Sequence, residues 1–102
     1  MASLSTHVLD TSRGRPAAGV AVRLESGGAF LGAGVTDGDG RVASLAADLP
    51  PGDYTLVFDT GSYLGADAFY PEVAVAFRVG GDEHYHVPLL LNPFGYSTYR
   101  GS

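Results

Sequence analysis

The strongest constraint on this chain is a period-two alternation of apolar and polar residues, repeatedly cut short by glycine, proline and aspartate. Leu4, Thr6, Val8 and Asp10 alternate with Ser5, His7 and Leu9, and Val20, Val22 and Leu24 with Ala21, Arg23 and Glu25. Tyr54, Leu56 and Phe58 alternate with Thr55, Val57 and Asp59, and beyond Pro71 the side chains of Val73, Val75, Phe77 and Val79 face one way. Successive side chains of a strand point to opposite faces, so such runs suit half-buried strands. Phe30–Thr36 is a weaker, glycine-diluted strand, Arg41–Ser44 a short edge strand, and His84–Leu91 and Phe94–Thr98 a closing pair. Ser12–Pro16, Gly27-Gly28, Leu49–Gly52 and Gly80–Asp82 break the pattern. Asp37-Gly38-Asp39-Gly40 reads as a hairpin turn, because Asp-Gly supplies the positive φ that a tight turn needs. The one helical candidate starts with Thr60 or Ser62 as its cap and runs to about Ala68. Seven to eight short strands with one short helix predict an all-β fold, a two-sheet β-sandwich, with residues 1–102 as a single domain.

Composition narrows the function classes. The net charge is −5 and all six basic residues are arginine, with no basic stripe interleaved by aromatics, so nucleic acid is not an expected partner. With no lysine there is no Schiff-base chemistry, and any cationic role falls to arginine, which suits planar, bidentate recognition of anions. With no cysteine there is neither a disulfide framework nor a thiolate nucleophile, which agrees with a cytoplasmic setting. No apolar run approaches the roughly 18–20 residues of a membrane span, and the N-terminus has no charged-then-apolar signal pattern. Hydrophobic residues make up 45% of a chain too short to bury them all, which suits association between subunits.

The candidate chemistry is histidine and arginine. His7 lies on a strand face, where a lone histidine is ordinarily a structural hydrogen-bonder. His84 and His86 leave one face of the last long strand, a spacing that metal sites also use and to which His7 could add a third nitrogen, but no cysteine or motif-linked acid accompanies them, which weakens a metal reading. Arg41 follows the Asp-Gly turn, ordinarily a surface position. Asp37 to Gly40 does not continue into the oxygen ligands of a calcium loop, since Arg41, Val42 and Ala43 stand where they would fall. The chain closes on Tyr99-Arg100-Gly101-Ser102, a ring, a guanidinium, a flexible glycine and a hydroxyl with the terminal carboxylate. No Gly-x-Ser-x-Gly elbow marks a serine nucleophile, so water activated by histidine is the simplest hydrolytic chemistry on offer.

Four segments in order carry a family resemblance. They are Thr6-His7-Val8-Leu9-Asp10 with Gly14-Arg15-Pro16-Ala17, Thr36-Asp37-Gly38-Asp39-Gly40-Arg41, Phe69-Tyr70-Pro71-Glu72-Val73, and His84 to Ser102. Together they resemble the 5-hydroxyisourate hydrolases, the transthyretin-related enzymes of urate breakdown. The resemblance implies a transthyretin-like sandwich of two four-stranded sheets and one short helix. It also implies a homotetramer, a dimer of dimers with its sites in a channel between dimers. By the same resemblance His7, Arg41 and His86 are catalytic, with His84 peripheral. His7, Arg41, Tyr99, Arg100, Gly101 and Ser102 hold 5-hydroxyisourate without cofactor or metal, and the last four residues close the site. Asn92 and Phe94 stand where relatives commonly carry serine and tyrosine, a difference of local packing.

Overall fold

The computed structural model describes residues 2–102. Its strands are β1 (Ala2–Asp10), β2 (Arg15–Pro16), β3 (Ala21–Ser26), β4 (Ala29–Val35), β5 (Arg41–Leu49), β6 (Gly52–Phe58), β7 (Val73–Val79), β8 (His84–Asn92) and β9 (Gly95–Thr98). A short helix α1 (Thr60–Leu64) runs on into a single 3-10 turn over Gly65–Asp67. The second sheet is antiparallel in the order β4-β3-β6-β7, and the first follows β2-β1-β8-β9, with β5 also paired to β1. The fold is therefore the expected two-sheet sandwich.

The alternation fills the space between the sheets. Leu4 and Val8 of β1, Val22 and Leu24 of β3, Leu56 and Phe58 of β6, Val73 and Val79 of β7, and Leu89 and Leu91 of β8 form one buried core. Full burial of side chains of this size contributes about 1.5–3 kcal/mol each. Facing inward commits the alternate residues to the outer surface. On β1 these are Ser3, Ser5 and His7, and on β8 they are His84, His86 and Pro88.

Three expectations change. Asp37–Gly40 does not close a hairpin, because β4 and β5 belong to different sheets and the turn carries the chain between them. The Asp37 carboxylate accepts the backbone N–H groups of Asp39 and Arg41 at 2.9 and 3.0 Å, which fixes the turn without strand pairing. Gly40, at φ 75°, lies so close to β1 that a Cβ there would come within 2.4 Å of the Val8 carbonyl oxygen. Second, β5 continues past Ser44 to Leu49, with two register shifts against β1, so its inward residues Leu45 and Leu49 lose period two. Third, Asp59 caps α1, accepting from the Ser62 backbone N–H, while Thr60 is buried and donates to the Tyr70 carbonyl. The departure at Asn92 and Phe94 is absorbed locally. Asn92 Oδ1 accepts the Phe94 backbone N–H at 2.9 Å, and the Phe94 ring is exposed.

At the end of β1 the Asp10 side chain is 1% exposed. It accepts from the Ser12 hydroxyl and backbone, the Arg13 backbone and the Tyr63 hydroxyl of α1. Burial alone would raise its pKa, but the hydrogen bonds from Ser12, Tyr63 and Arg13 outweigh it and hold the carboxyl below its ordinary range. A carboxyl depressed in the folded state stabilises above its unfolded pKa and loses that contribution as pH falls through the folded one. Asp10→Ala is therefore expected to lower stability by about 1.5–3 kcal/mol at pH 7 in urea denaturation. The deficit should shrink below pH 4, as the wild type loses its own advantage.

Candidate functional site

The register of the first sheet assembles the site. Parallel pairing sets Ser3 beside His84, Ser5 beside His86 and His7 beside Pro88. On the other edge of β1, antiparallel pairing sets His7 beside Arg41. Neighbouring residues in register share a face, so His7, Arg41, His84 and His86 all stand on the outer surface of one sheet. The His7 and His86 ring centroids are 6.5 Å apart. Ser5, Thr6, Arg41, Ala43, His84, His86 and Ser102 line a cavity of about 300 Å³ on this face.

Each imidazole is held differently. His7 Nε2 lies 2.9 Å from the Asp39 carbonyl oxygen. A carbonyl can only accept, so Nε2 carries a proton and Nδ1 is the nitrogen left for chemistry. His86 Nδ1 is 2.8 Å from the Ser5 hydroxyl, which leaves Nε2 as its second nitrogen. Burial, and then the nearby His7, Arg41 and His84, push the His86 pKa down against a smaller opposing effect of the Ser5 backbone. With an ordinary histidine value near 6.5, His86 is neutral at pH 7 and carries a lone pair on one ring nitrogen.

Among the described residues, the guanidinium groups of Arg13, Arg23, Arg78 and Arg100 form ion pairs with carboxylates, and those of Arg15 and Arg41 do not, Arg41 being the one of these two on the cavity. Arg41 instead anchors through its backbone to Asp37, which leaves its cation on the cavity wall. Among the described residues no three histidines or carboxylates converge as metal ligands.

The chain's end divides. The Gly101 backbone N–H donates to the His86 carbonyl at 2.8 Å, and Ser102 reaches the cavity. A Cβ on Gly101 would lie 2.5 Å from His86 Cδ2. Glycine is thus required by the imidazole packed against it rather than by a sharp bend. Tyr99 and Arg100, expected beside them, line a different cavity of about 310 Å³ at the open edge between β7 and β9. Pairing Gly101 with His86 turns its neighbour Arg100 to the opposite side of the strand. There its guanidinium pairs with Glu83 and lies 4.7 Å above the Tyr85 ring. Sequence reasoning missed Ser5 and Ser3, although both alternate onto the His7 face. A larger hollow of about 640 Å³ on the second sheet holds Arg23, Asp59 and Glu72, but Arg23 is bound by Glu25 and Glu72 and no histidine is present.

Two sheets in this order, with the helix after β6, define a transthyretin-like sandwich. A family model described as the HIUase/Transthyretin family matches residues 4–101, and the chain belongs to that family. It is 49% identical to the 5-hydroxyisourate hydrolase of Salmonella typhimurium, over 97% of this chain and 80% of that protein. It is 46% identical to a probable 5-hydroxyisourate hydrolase of Schizosaccharomyces pombe, over 98% and 91%. Among solved structures, the Klebsiella pneumoniae 5-hydroxyisourate hydrolase superposes with a TM-score of 0.93 at 42% identity, covering 100% of both chains. Sea bream transthyretin in complex with thyroxine superposes at 0.86 and 33% identity, covering 96% of this chain and 93% of that one.

The electrostatics are testable in the free protein. In an NMR titration His86 is expected to gain its proton below the ordinary histidine value. His7→Gln, by removing the second-largest depressing influence, should move that titration upward. An unshifted His86 would show that the burial and the neighbouring cations do not act on it.

Proposed function

We propose that this protein hydrolyses 5-hydroxyisourate to 2-oxo-4-hydroxy-4-carboxy-5-ureidoimidazoline in urate breakdown. The observation that carries the reading is the convergence of a neutral His86, a tautomer-fixed His7 and an ion-pair-free Arg41 on one face. The relatives named for this hydrolysis support it. His86 takes a proton from water at Nε2 as the oxygen attacks the carbonyl of the cyclic amide. His7, anchored at Nε2, takes the second water proton at Nδ1 from the tetrahedral intermediate and hands it to the leaving ring nitrogen. Arg41 binds the carbonyl edge of the ring and the developing oxyanion by paired N–H groups. Gly101 and Ser102 close over His86, while Arg100 secures them from the far side of the strand through Glu83 and Tyr85.

The working form in this reading is a homotetramer, a dimer of dimers. β7 and β9 are open edges of the two sheets, and an unpaired strand edge invites another strand. Phe69, Tyr70 and Tyr96 pack edge-to-face in a largely exposed cluster, and Phe94 is 75% exposed. Apolar surface of this kind marks a contact between subunits. A second copy would wall a site that lies on an open sheet face in one chain. A carrier of the transthyretin kind shares the fold, but ligand storage gives no use for two anchored imidazoles and a guanidinium without an ion pair on one sheet face.

The decisive experiment generates 5-hydroxyisourate from urate in situ and follows its ultraviolet decay, with circular dichroism of the product. The wild type is expected to accelerate decay to one enantiomer, and His86→Ala, His7→Ala and Arg41→Ala to lose about 10²–10⁴-fold in rate. Arg41→Lys should rescue little, since an ammonium cannot make the paired contact. Decay no faster than the blank, from a folded assembly, would refute the hydrolase. Sedimentation should give a mass near four chains, and a monomer at working concentration would remove the tetramer.

A further inference from the structure

The strongest polar feature unused so far is a chain of four side chains across β1 and β8. Ser3 Oγ lies 2.6 Å from His84 Nδ1. Ser5 Oγ lies 2.8 Å from His84 Nε2 and 2.8 Å from His86 Nδ1. A hydroxyl has one proton to donate, so Ser5 donates to one imidazole and accepts from the other.

The same heavy atoms therefore allow two polarities. In the first, His84 Nε2–H donates to Ser5, Ser5 donates to His86 Nδ1, and neutral His86 carries its proton at Nε2, useless as a base. In the second, His86 Nδ1–H donates to Ser5, Ser5 donates to His84 Nε2, and His84 Nδ1–H donates to Ser3. His86 Nε2 is then a bare lone pair.

We propose that Ser5 and His84 are positioning residues that select this second tautomer of His86 and carry the proton it collects out to solvent through exposed His84. The inference rests on the hydrolase reading for its chemistry. Opening an uncharged cyclic amide at neutral pH leaves a carboxylate, and the ureido nitrogen, once neutral, is too weakly basic to take up a further proton. One proton per turnover must leave the site.

The transfer balances. His86 gains a proton at Nε2 and gives its Nδ1 proton to Ser5, and the original Ser5 proton moves to His84 Nε2. Ser5 ends as a hydroxyl, His86 as the neutral Nε2–H form and His84 as the imidazolium, which releases its Nδ1 proton. Once product has left, His86 Nε2 gives its proton to water and His84 Nδ1 regains one, which restores the second polarity. The charge moves away from the groups that disfavour it. Facing His86 are His7 on β1, Arg41 on β5 and His84 on β8, all of which add to the burial that lowers its proton affinity. Facing His84 are the hydroxyls of Ser3 and Ser5, with the ring exposed to water. The neighbouring Glu83 carboxylate is engaged by Arg100.

Imidazole nitrogen NMR and kinetics on the full chain test the two halves separately. In the wild type above pH 7, His86 is expected to be protonated at Nδ1. Ser5→Ala should redistribute that proton to Nε2, and Ser5→Thr, which keeps the hydroxyl and serves as the folded control, should restore it. A His86 tautomer and titration unchanged in Ser5→Ala would overturn the proposal. In turnover, Ser5→Ala and His84→Ala should lower kcat by about 10²-fold with little change in KM. Added imidazole buffer should restore part of the His84→Ala rate. Full, buffer-independent rates in both variants would also overturn it. If the wild type fails to turn over 5-hydroxyisourate, the hydrolase reading falls, and the resonances alone then decide whether Ser5 sets the His86 tautomer.

Discussion

The parallel pairing of β1 with β8 is the constraint on which the rest depends. It joins strands about eighty residues apart in sequence, from Ser3 beside His84 to Asp10 beside Leu91. On its inner side it aligns Leu4 and Val8 with Tyr85 and Leu89 in the core. On its outer side it aligns two serines with two histidines. A slip of one residue would send every side chain of one strand to the opposite face. It would bury the imidazoles and expose the leucines, so core burial enforces the register that builds the site. Stability and chemistry are two sides of one strand pair.

That coupling explains what was legible in the sequence. Alternation is a local signal, so β1, β3, β6, β7 and β8 could be read with their inward faces. His84 and His86 could be placed on a common face for the same reason. Nothing local says that His7 lies across from them or that Arg41 lies beside His7. That pairing is a property of sheet order, and it entered the reading through the family resemblance of four segments. The failures are as physical. The bulged pairing of β5 spaces its buried residues irregularly, which hid its second half. Asp37 to Gly40 has the chemistry of a hairpin turn, but hairpin and crossover turns need the same positive-φ glycine, and only the packing of Gly40 on Val8 separates them.

The end of the chain shows how a single strand can serve two faces. Gly101 must lack a side chain because His86 fills the space, and Arg100, one residue earlier, must point away. Its guanidinium then has a ring and a carboxylate to bind, neither of them lining the cavity. An exposed pair of this kind contributes little to global stability. Its consequence is geometric: it resists fraying of the tail, which would otherwise leave His86 open to water.

The same economy governs the imidazoles. His7 is anchored by a carbonyl that can only accept, so its tautomer is fixed by the fold. His86 is anchored by a hydroxyl that can donate or accept, so its tautomer is set by whatever lies beyond Ser5. Placing a second histidine there, and letting it reach solvent, gives His86 a partner that can exchange roles with it. One anchor is suited to holding a proton at a chosen atom, and the other to moving one. Two histidines that look equivalent as strand residues are thus made different by the chemistry of the oxygen each one meets.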